Sequence, residues 1–158
     1  NEKAALYLCN NIFSKLKNIK CVIAGRNPQK ILIDKVSQLS NVELICNPDE
    51  TTMSNLIQNA HIHLLITFQN TGIKLKLLNT LFAGKHIIAN NLMVDGSDTE
   101  ILCHIANTPK EQIAKCQELI LKSFSKEEKL KRKKLLLSKF SNSIQSDIIS
   151  QLIQNMTN

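Results

Sequence analysis

The chain has 158 residues, of which 43% are hydrophobic. This length and composition are sufficient for one domain with a hydrophobic core, but the chain is too short for two ordinary domains. It contains no apolar run of about 18 residues and no charged-then-apolar leader, so we expect neither membrane insertion nor secretion. The net charge of +7 is compatible with nucleic acid, an acidic membrane or a phosphorylated ligand. Aromatic residues make up only 4%, which argues against the binding of single-stranded nucleic acid by base stacking.

The spacing of the cysteines and histidines in the sequence does not match a metal-binding motif. The five cysteines lie mostly in apolar runs without a CxxC pair, and we predict buried core thiols of a cytoplasmic protein. Because the chain is positively charged, we keep the inner surface of the membrane as an alternative location for the protein. The four histidines do not form a ligand set, so we predict structural roles for them and no metal site.

The first third of the chain alternates helical and strand patterns. Apolar residues three and four apart predict helices over residues 2–18 and 29–39, and short apolar runs predict strands over residues 20–25 and 41–46. A further helix ends near Ala60, with Asp49 or Thr51 as its cap.

The central stretch predicts a strand, a glycine loop, a helix and another strand. Residues 61–67 form a short apolar run, Gly72 lies in a polar loop, and apolar residues at helical spacing follow. Gly84 is predicted to end this helix in a left-handed cap, before a strand over residues 86–90. In such a βαβ unit the helix N-terminus favours an anion, and Lys74 adds positive charge there.

The rest of the chain predicts a loop with Gly96 over residues 92–98, a strand over 101–106 and three helices. The first helix starts at Thr108-Pro109, the second at a Ser125/Glu128 capping box, and the third covers about residues 143–156. The lysine-rich residues 126–139 are interpreted as a solvated helix face. The whole pattern predicts an α/β fold, a doubly wound, Rossmann-like parallel sheet of about five strands with helices on both faces.

The sequence lacks the motifs of several other protein classes. It has no Walker loop, no GxGxxG and no nucleophile elbow, and no acidic cluster of the kind a receiver domain needs at its strand ends. A basic α/β module that binds phosphorylated or nucleic-acid partners, without enzymatic activity, stays open as an alternative.

Residues 72–85, GIKLKLLNTLFAGK, resemble the donor-binding motif of nucleotide-sugar glycosyltransferases with the GT-B fold, in the retaining, glycogen-synthase-like group. The end of the strand over residues 20–25 and the Arg26-Asn27-Pro28 loop after it are similar to a second motif of that family. Two positions depart from the pattern: the ribose-binding glutamate is Asn79 here, and the proline after the Gly-Lys pair is His86. A further acidic position, eight residues before Asn79, is Thr71.

The resemblance implies that the chain is the C-terminal donor lobe of a glycosyltransferase, a single lobe over residues 1–158 from a longer two-lobed enzyme. It implies a nucleotide-diphosphate sugar as donor substrate, no cofactor and no metal. The acceptor lobe and the catalytic residues would lie outside this chain, and we expect the isolated chain to be inactive. The residues that the resemblance places at the nucleotide sugar are Arg26, Cys46, Asn47, Thr71, Gly72, Ile73, Lys74 and Asn79.

Overall fold

The computed structural model describes residues 2–69 and 74–140, without the side chains of residues 139 and 140. The chain divides into two compact units, Asn1–Ser123 and Phe124–Asn158. The helix predicted over residues 143–156 and the loop around Gly72 lie outside the described residues. No helix in the described part is both long enough and apolar enough to cross a membrane.

The first unit alternates strands and helices. Its strands are β1 (Cys21–Gly25), β2 (Val42–Cys46), β3 (Ile62–Leu65), β4 (His86–Ala89) and β5 (His104–Ile105). Its α-helices are α1 (Glu2–Asn11), α2 (Lys30–Ser37), α3 (Glu50–Asn59), α4 (Leu75–Ala83), α5 (Asn91–Val94) and α6 (Pro109–Leu119). The second unit contributes α7 (Lys126–Phe140).

All strand pairs are parallel. β1 pairs with β2 in one sheet, and β3, β4 and β5 pair in that order in a second sheet. This confirms the predicted α/β, Rossmann-like class with five parallel strands. The strands form two hydrogen-bonded sheets of two and three strands.

One hydrophobic core cluster unites the two sheets. Cys21 of β1, Ile88 of β4 and Ile66, just after β3, all belong to it. Ile12 and Leu119, which follow α1 and end α6, are fully buried in the same cluster. The apolar faces predicted from the periodicity therefore pack both sheets against the same helices.

Two predicted helix starts are confirmed in atomic detail. Thr108 Oγ1 accepts a hydrogen bond from Glu111 N at 3.3 Å, the Glu111 carboxylate accepts one from Thr108 N at 3.1 Å, and Pro109 takes the first helical position. Ser125 and Glu128 make the same reciprocal pair at the start of α7.

Of the two caps considered for α3, Asp49 is the one used. Its carboxylate accepts a hydrogen bond from Thr52 N at 2.7 Å. Hydrogen bonds from Thr52 lower the pKa of this carboxyl group, so the cap stays charged at neutral pH.

The predicted left-handed cap at Gly84 is wrong. Gly84 has φ −80° and ψ −176°, an extended conformation that any residue can adopt. A side chain is excluded there for a different reason: a Cβ on Gly84 would lie 2.6 Å from His63 Nε2 and 2.8 Å from the Thr80 carbonyl oxygen. The glycine allows β3 and the end of α4 to approach each other closely.

Three other boundaries differ from the prediction. The first helix ends at Asn11 and is followed by a 3₁₀ turn over Phe13–Lys15. The loop predicted to start at residue 92 is replaced by the short helix α5. The strand predicted over 101–106 is a 3₁₀ turn, Glu100–Leu102, and then the two-residue β5, because Ile101 is 82% exposed and has no core to face.

The described lysine side chains of α7 are exposed, as expected for a solvated helix face: Lys126, Lys129, Lys131, Lys133 and Lys134. Among the leucines of this helix, Leu130, Leu135 and Leu137 are 68%, 37% and 45% exposed, whereas Leu136 is fully buried. Within this unit the Arg132 guanidinium lies 4.9 Å from the centroid of the Phe124 ring, a cation–π distance.

Three histidines form a row across the amino ends of β3, β4 and β5. The ring centroids of His61 and His86 are 5.2 Å apart, and those of His86 and His104 are 5.8 Å apart. His61 Nε2 lies 2.9 Å from the Leu119 carbonyl oxygen and His86 Nε2 lies 3.0 Å from that of Lys122. Carbonyl oxygens only accept, so both rings donate from Nε2 and fix the end of α6 to the sheet. These bonds agree with the predicted structural role of His61 and His86.

This row makes stability depend on pH. Burial, together with the neighbouring His86, Lys115 and Lys122, holds the pKa of His104 below its usual range, and Glu118 acts in the opposite direction. The unfolded chain therefore binds a proton at this site more readily than the folded chain. We expect the free energy of unfolding to fall as pH drops below about 6.5, by on the order of 0.5 kcal/mol for this half-buried ring.

Urea unfolding at pH 7.5 and pH 5.5 measures this effect. The carboxyl groups with lowered pKa values, Asp49, Glu111 and Glu118, titrate below that interval and do not contribute to the difference. A His104→Gln variant is the control, and it should lose less stability between the two pH values than the wild type. An equal loss in both proteins would contradict the role of His104.

Candidate functional site

The carboxyl ends of β1 and β2 bring two predicted site residues together. Gly25 and Cys46 are register partners at the last position of the ladder, and Asn47 N donates to the Gly25 carbonyl oxygen at 2.8 Å. Arg26 and Asn47 are therefore neighbours at the same sheet edge, and both are exposed. This places a cation and an amide where parallel α/β sheets bind ligands.

The chain turns sharply after both strands through asparagines in the left-handed region. Asn27 has φ 47° and Asn47 has φ 51°, a conformation that asparagine adopts more readily than most residues. Asn27 N donates to Asn47 Oδ1 at 2.9 Å, so the two turns support each other. Arg26 is thus presented from a fixed loop.

The cysteines follow the prediction only in part. Cys9, Cys21 and Cys116 are buried, and burial raises the pKa of Cys21 and of Cys116 to about 11, so both are neutral thiols. Cys46 is exposed and Cys103 is half-buried, and all five are free thiols. Cys46 departs from the expected core position because it ends β2, where the chain leaves the sheet at the carboxyl edge.

The helix that follows the predicted anion loop starts later than expected. Thr71, Gly72 and Ile73 lie outside the described residues, so their predicted backbone contacts stay predictions. Lys74 is the N-terminal flanking residue of α4, and its carbonyl oxygen accepts from Leu77 N at 2.8 Å. The first N–H groups of a helix have no partner inside it, so Lys74 stands beside an N-terminus suited to an anion.

Asn79 lies five residues farther along the same helix, which is about 7.5 Å along its axis at 1.5 Å per residue. Leu77, Thr80 and Leu81 are buried, whereas Asn79 is exposed on the outer side of the helix. No hydrogen bond is formed by the Asn79 side chain within the described residues, so its amide is accessible to a ligand.

Sequence reasoning missed a set of asparagine side chains that bind backbone groups of the neighbouring strand ends. Asn90, after β4, bonds both backbone groups of Thr67, after β3. Asn107, after β5, accepts from Asn91 N at 2.8 Å. The signal in the sequence was an asparagine directly after the apolar runs 86–89 and 101–106, since asparagine often bonds backbone groups.

A small aromatic contact also lies at this edge and was not predicted. The Phe68 ring is 42% exposed and meets Tyr7 edge-on at a centroid distance of 5.3 Å. Lys3 Nζ lies 5.2 Å from the centroid of the Phe68 ring, and the Tyr7 hydroxyl donates to Gln112 Oε1 at 3.0 Å. The contact fixes Phe68, two residues before the undescribed loop, to helices α1 and α6.

The described site residues carry two cationic groups and two side-chain amides. Arg26 and Lys74 supply positive charge, and Asn47 and Asn79 supply amides. Across residues 2–69 and 74–140 no group of three or more histidine, cysteine, aspartate or glutamate side chains is placed to hold a metal ion. Arg26 and Asn47 lie together at one pair of strand ends. Lys74 flanks the N-terminus of α4, and Asn79 lies within that helix.

A comparison with family models supports a transferase. A model described as "Glycosyl transferases group 1" matches residues 1–122, which is more than half of the chain and includes every predicted site residue. A search of curated proteins finds no match. By the extent of this match, the chain belongs to group 1 of the glycosyl transferases.

Proposed function

We propose that this chain is the donor-binding lobe, the C-terminal one, of a retaining, glycogen-synthase-like glycosyltransferase with the GT-B fold. Its ligand is a nucleotide-diphosphate sugar bound at the carboxyl edge of the parallel strands. The observation that carries the proposal is the position of Arg26 and Asn47 at adjoining strand ends. In the same chain, a member of this family, Lys74 lies at the N-terminus of α4, the helix between β3 and β4.

The diphosphate is assigned to the N-terminus of α4. Lys74 contributes a charge-assisted contact, and the N–H groups of the helix and of Thr71 to Ile73 contribute hydrogen bonds. Arg26 adds a second cation from the end of β1. When the sugar leaves, negative charge grows on the diphosphate, and fixed cations stabilise that charge more than they stabilise the bound donor.

The nucleoside is assigned to the other described residues. Backbone groups at Cys46 and Asn47 meet the base, since the chain turns there and both residues are exposed. Asn79 faces the ribose from the outer side of α4. An amide offers one acceptor oxygen and one donor nitrogen, so it holds at most one ribose hydroxyl well.

The acceptor and the groups that act on it are assigned to a second lobe. Transfer needs donor and acceptor held in reacting geometry, and a donor lobe alone gives the acceptor no fixed position. We expect the isolated chain to bind donor nucleotide and to transfer no sugar. A radiolabelled-sugar assay with and without an added acceptor lobe measures this, and transfer by the isolated chain would refute the two-lobe assignment.

Lys74→Ala tests the diphosphate position. We expect nucleoside-diphosphate binding to weaken by about 1 kcal/mol, roughly fivefold, because a half-buried cation near the surface is partly screened. Binding of the unphosphorylated nucleoside should change by less than about twofold. Isothermal titration of both ligands gives the two values.

Lys17→Ala is the matched control. Lys17 is an exposed lysine in the segment before β1, at the amino end of that strand, and its removal lowers the net charge by the same amount. It should leave diphosphate affinity unchanged. Equal losses in the two variants would mean that Lys74 acts through overall charge, and the diphosphate would then lie elsewhere.

A further inference from the structure

We propose that one face of α7, within residues 126–137, is a docking surface for a membrane rich in anionic lipids. Its members are two leucines and the three lysines around them, and we call this set the α7 stripe: Leu130, Leu137, Lys126, Lys133 and Lys134. The stripe belongs to the second compact unit and contains none of the residues assigned to the donor. The proposal therefore does not depend on the proposed function.

Helical spacing places the members of the α7 stripe on one face. Counted from Lys126, the others follow after four, seven, eight and eleven residues, which are the intervals of a single stripe at about 3.6 residues per turn. All five side chains are exposed. Among the described side chains of the helix, the buried ones are Arg132 and Leu136, which lie four residues apart on another face. The stripe is therefore not the face that packs on the protein.

The leucines are the feature of the α7 stripe that water alone does not explain. Leu130 is 68% exposed and Leu137 is 45% exposed. A helix face that meets only solvent is polar, and single exposed apolar side chains are common on proteins. These two leucines, however, lie two turns apart on the same face, with lysines beside each of them. The face therefore offers apolar and cationic groups together.

The charge of the helix indicates the partner. Residues 126–137 contain six basic and two acidic residues. One of the acidic residues, Glu128, accepts from Ser125 N in the capping box at the start of the helix. Beyond the first turn the described side chains of this segment are therefore cationic, apolar or both in part. A cluster of this kind complements an anionic lipid surface.

A bilayer surface supplies both groups that the α7 stripe needs at the required separation. Phosphate headgroups lie directly above the acyl chains, so Leu130 and Leu137 can enter the boundary between them. The flexible stems of the lysines extend along the apolar surface while their ammonium groups stay at the headgroups. Attraction of the lysines and burial of the leucines then act together.

Nucleic acid fits this face less well. It supplies phosphates for the lysines but no apolar layer for Leu130 and Leu137. Residues 126–137 also contain no aromatic residue on which bases could stack. Nucleic-acid binding is therefore an alternative outcome of the experiment.

Co-sedimentation of the full chain with lipid vesicles tests the proposal. We expect the chain to bind vesicles in which about one third of the phosphatidylcholine is replaced by phosphatidylglycerol, and not to bind vesicles of phosphatidylcholine alone. Raising the salt concentration from about 0.1 M to about 0.5 M should weaken binding about tenfold, because salt screens the attraction between lysines and headgroups.

Two double variants separate insertion from charge. Leu130→Ser with Leu137→Ser keeps the charge and should lower vesicle affinity about tenfold, because the apolar contact is lost. Lys133→Gln with Lys134→Gln keeps the leucines and should lower it about twentyfold. All four side chains are exposed, so both variants should keep the circular dichroism spectrum and the unfolding temperature of the wild type.

The matched controls change exposed residues of the same kinds in the first compact unit. Ile31→Ser with Ile101→Ser removes two apolar side chains that are 60% and 82% exposed. Lys17→Gln with Lys110→Gln removes two exposed charges. Both controls should bind anionic vesicles within about twofold of the wild type.

A fluorescent variant reports directly whether the stripe enters the bilayer. The chain contains no tryptophan, so Leu137→Trp carries a single indole. Its emission should shift to shorter wavelength with anionic vesicles and stay unchanged with phosphatidylcholine vesicles, because the indole moves from water to the membrane interface. The control Ile101→Trp should show no shift with either.

Three results would overturn the proposal. The first is no binding to anionic vesicles, and the second is equal binding by the wild type and the double leucine variant. The third is tighter binding to a nucleic-acid duplex than to anionic vesicles, since the helix would then be a polyanion site. None of these results changes what nucleotide titration finds, so the donor site and the α7 stripe are tested separately.

Discussion

Gly84→Ala is expected to lower the free energy of unfolding by about 1–3 kcal/mol, which is the usual cost of forcing extra volume into a well-packed site. The new Cβ would lie 2.6 Å from His63 Nε2 and 2.8 Å from the Thr80 carbonyl oxygen. Neither neighbour moves away easily. The His63 ring is bonded to the Ile57 carbonyl oxygen at 3.0 Å, and Thr80 belongs to the backbone of α4.

Urea unfolding of Gly84→Ala and Gly25→Ala measures the difference. Gly25 is the control because a Cβ there has no heavy atom within 4 Å, and its φ is not in the left-handed region. The Gly25 variant should stay within about 0.5 kcal/mol of wild type. If Gly84→Ala is as stable as Gly25→Ala, β3 and α4 do not approach as closely as described.

Asn79→Glu is expected to tighten nucleoside-diphosphate binding by about 1–2 kcal/mol. A carboxylate is a stronger acceptor than an amide, and its two oxygens can bond both ribose hydroxyls. Glutamate also extends one methylene farther from α4. Because Asn79 is exposed on the helix, the longer side chain fits without repacking the core.

Two comparisons restrict the cause of that gain. Pyrophosphate affinity should not rise in Asn79→Glu, because the added carboxylate lies at the ribose. Asn55→Glu adds the same charge at an exposed position midway along α3 and should leave nucleotide affinity unchanged. Unchanged or weaker nucleotide binding in Asn79→Glu, measured by titration, would mean that Asn79 is not at the ribose.

The sequence predicted the features that depend on local patterns. Apolar periodicity located the five strands, and capping chemistry located the starts of α6 and α7, since Thr108 and Ser125 bond groups only three residues away. The family resemblance added the residues of the proposed site. Among the described residues, Arg26 and Asn47 were predicted at one sheet edge and are found there.

The sequence could not predict features that depend on distant residues. Gly84 matches a left-handed cap by its position after a helix, but the actual requirement comes from His63, on another strand. The side chain of Asn90 forms its hydrogen bonds with the backbone of Thr67, which is 23 residues away in the chain. The shortened β5 reflects the lack of a core beside Ile101, which local periodicity does not report.

Titration of the intact chain with UDP, GDP, ADP and their sugar conjugates tests the central claim most directly. The account predicts that one nucleoside diphosphate and its sugar conjugate bind with a dissociation constant below about 1 mM, and that pyrophosphate competes with them. No binding of any nucleotide, together with a salt-dependent gel shift of nucleic acid, would contradict the account and would favour a basic binding module instead.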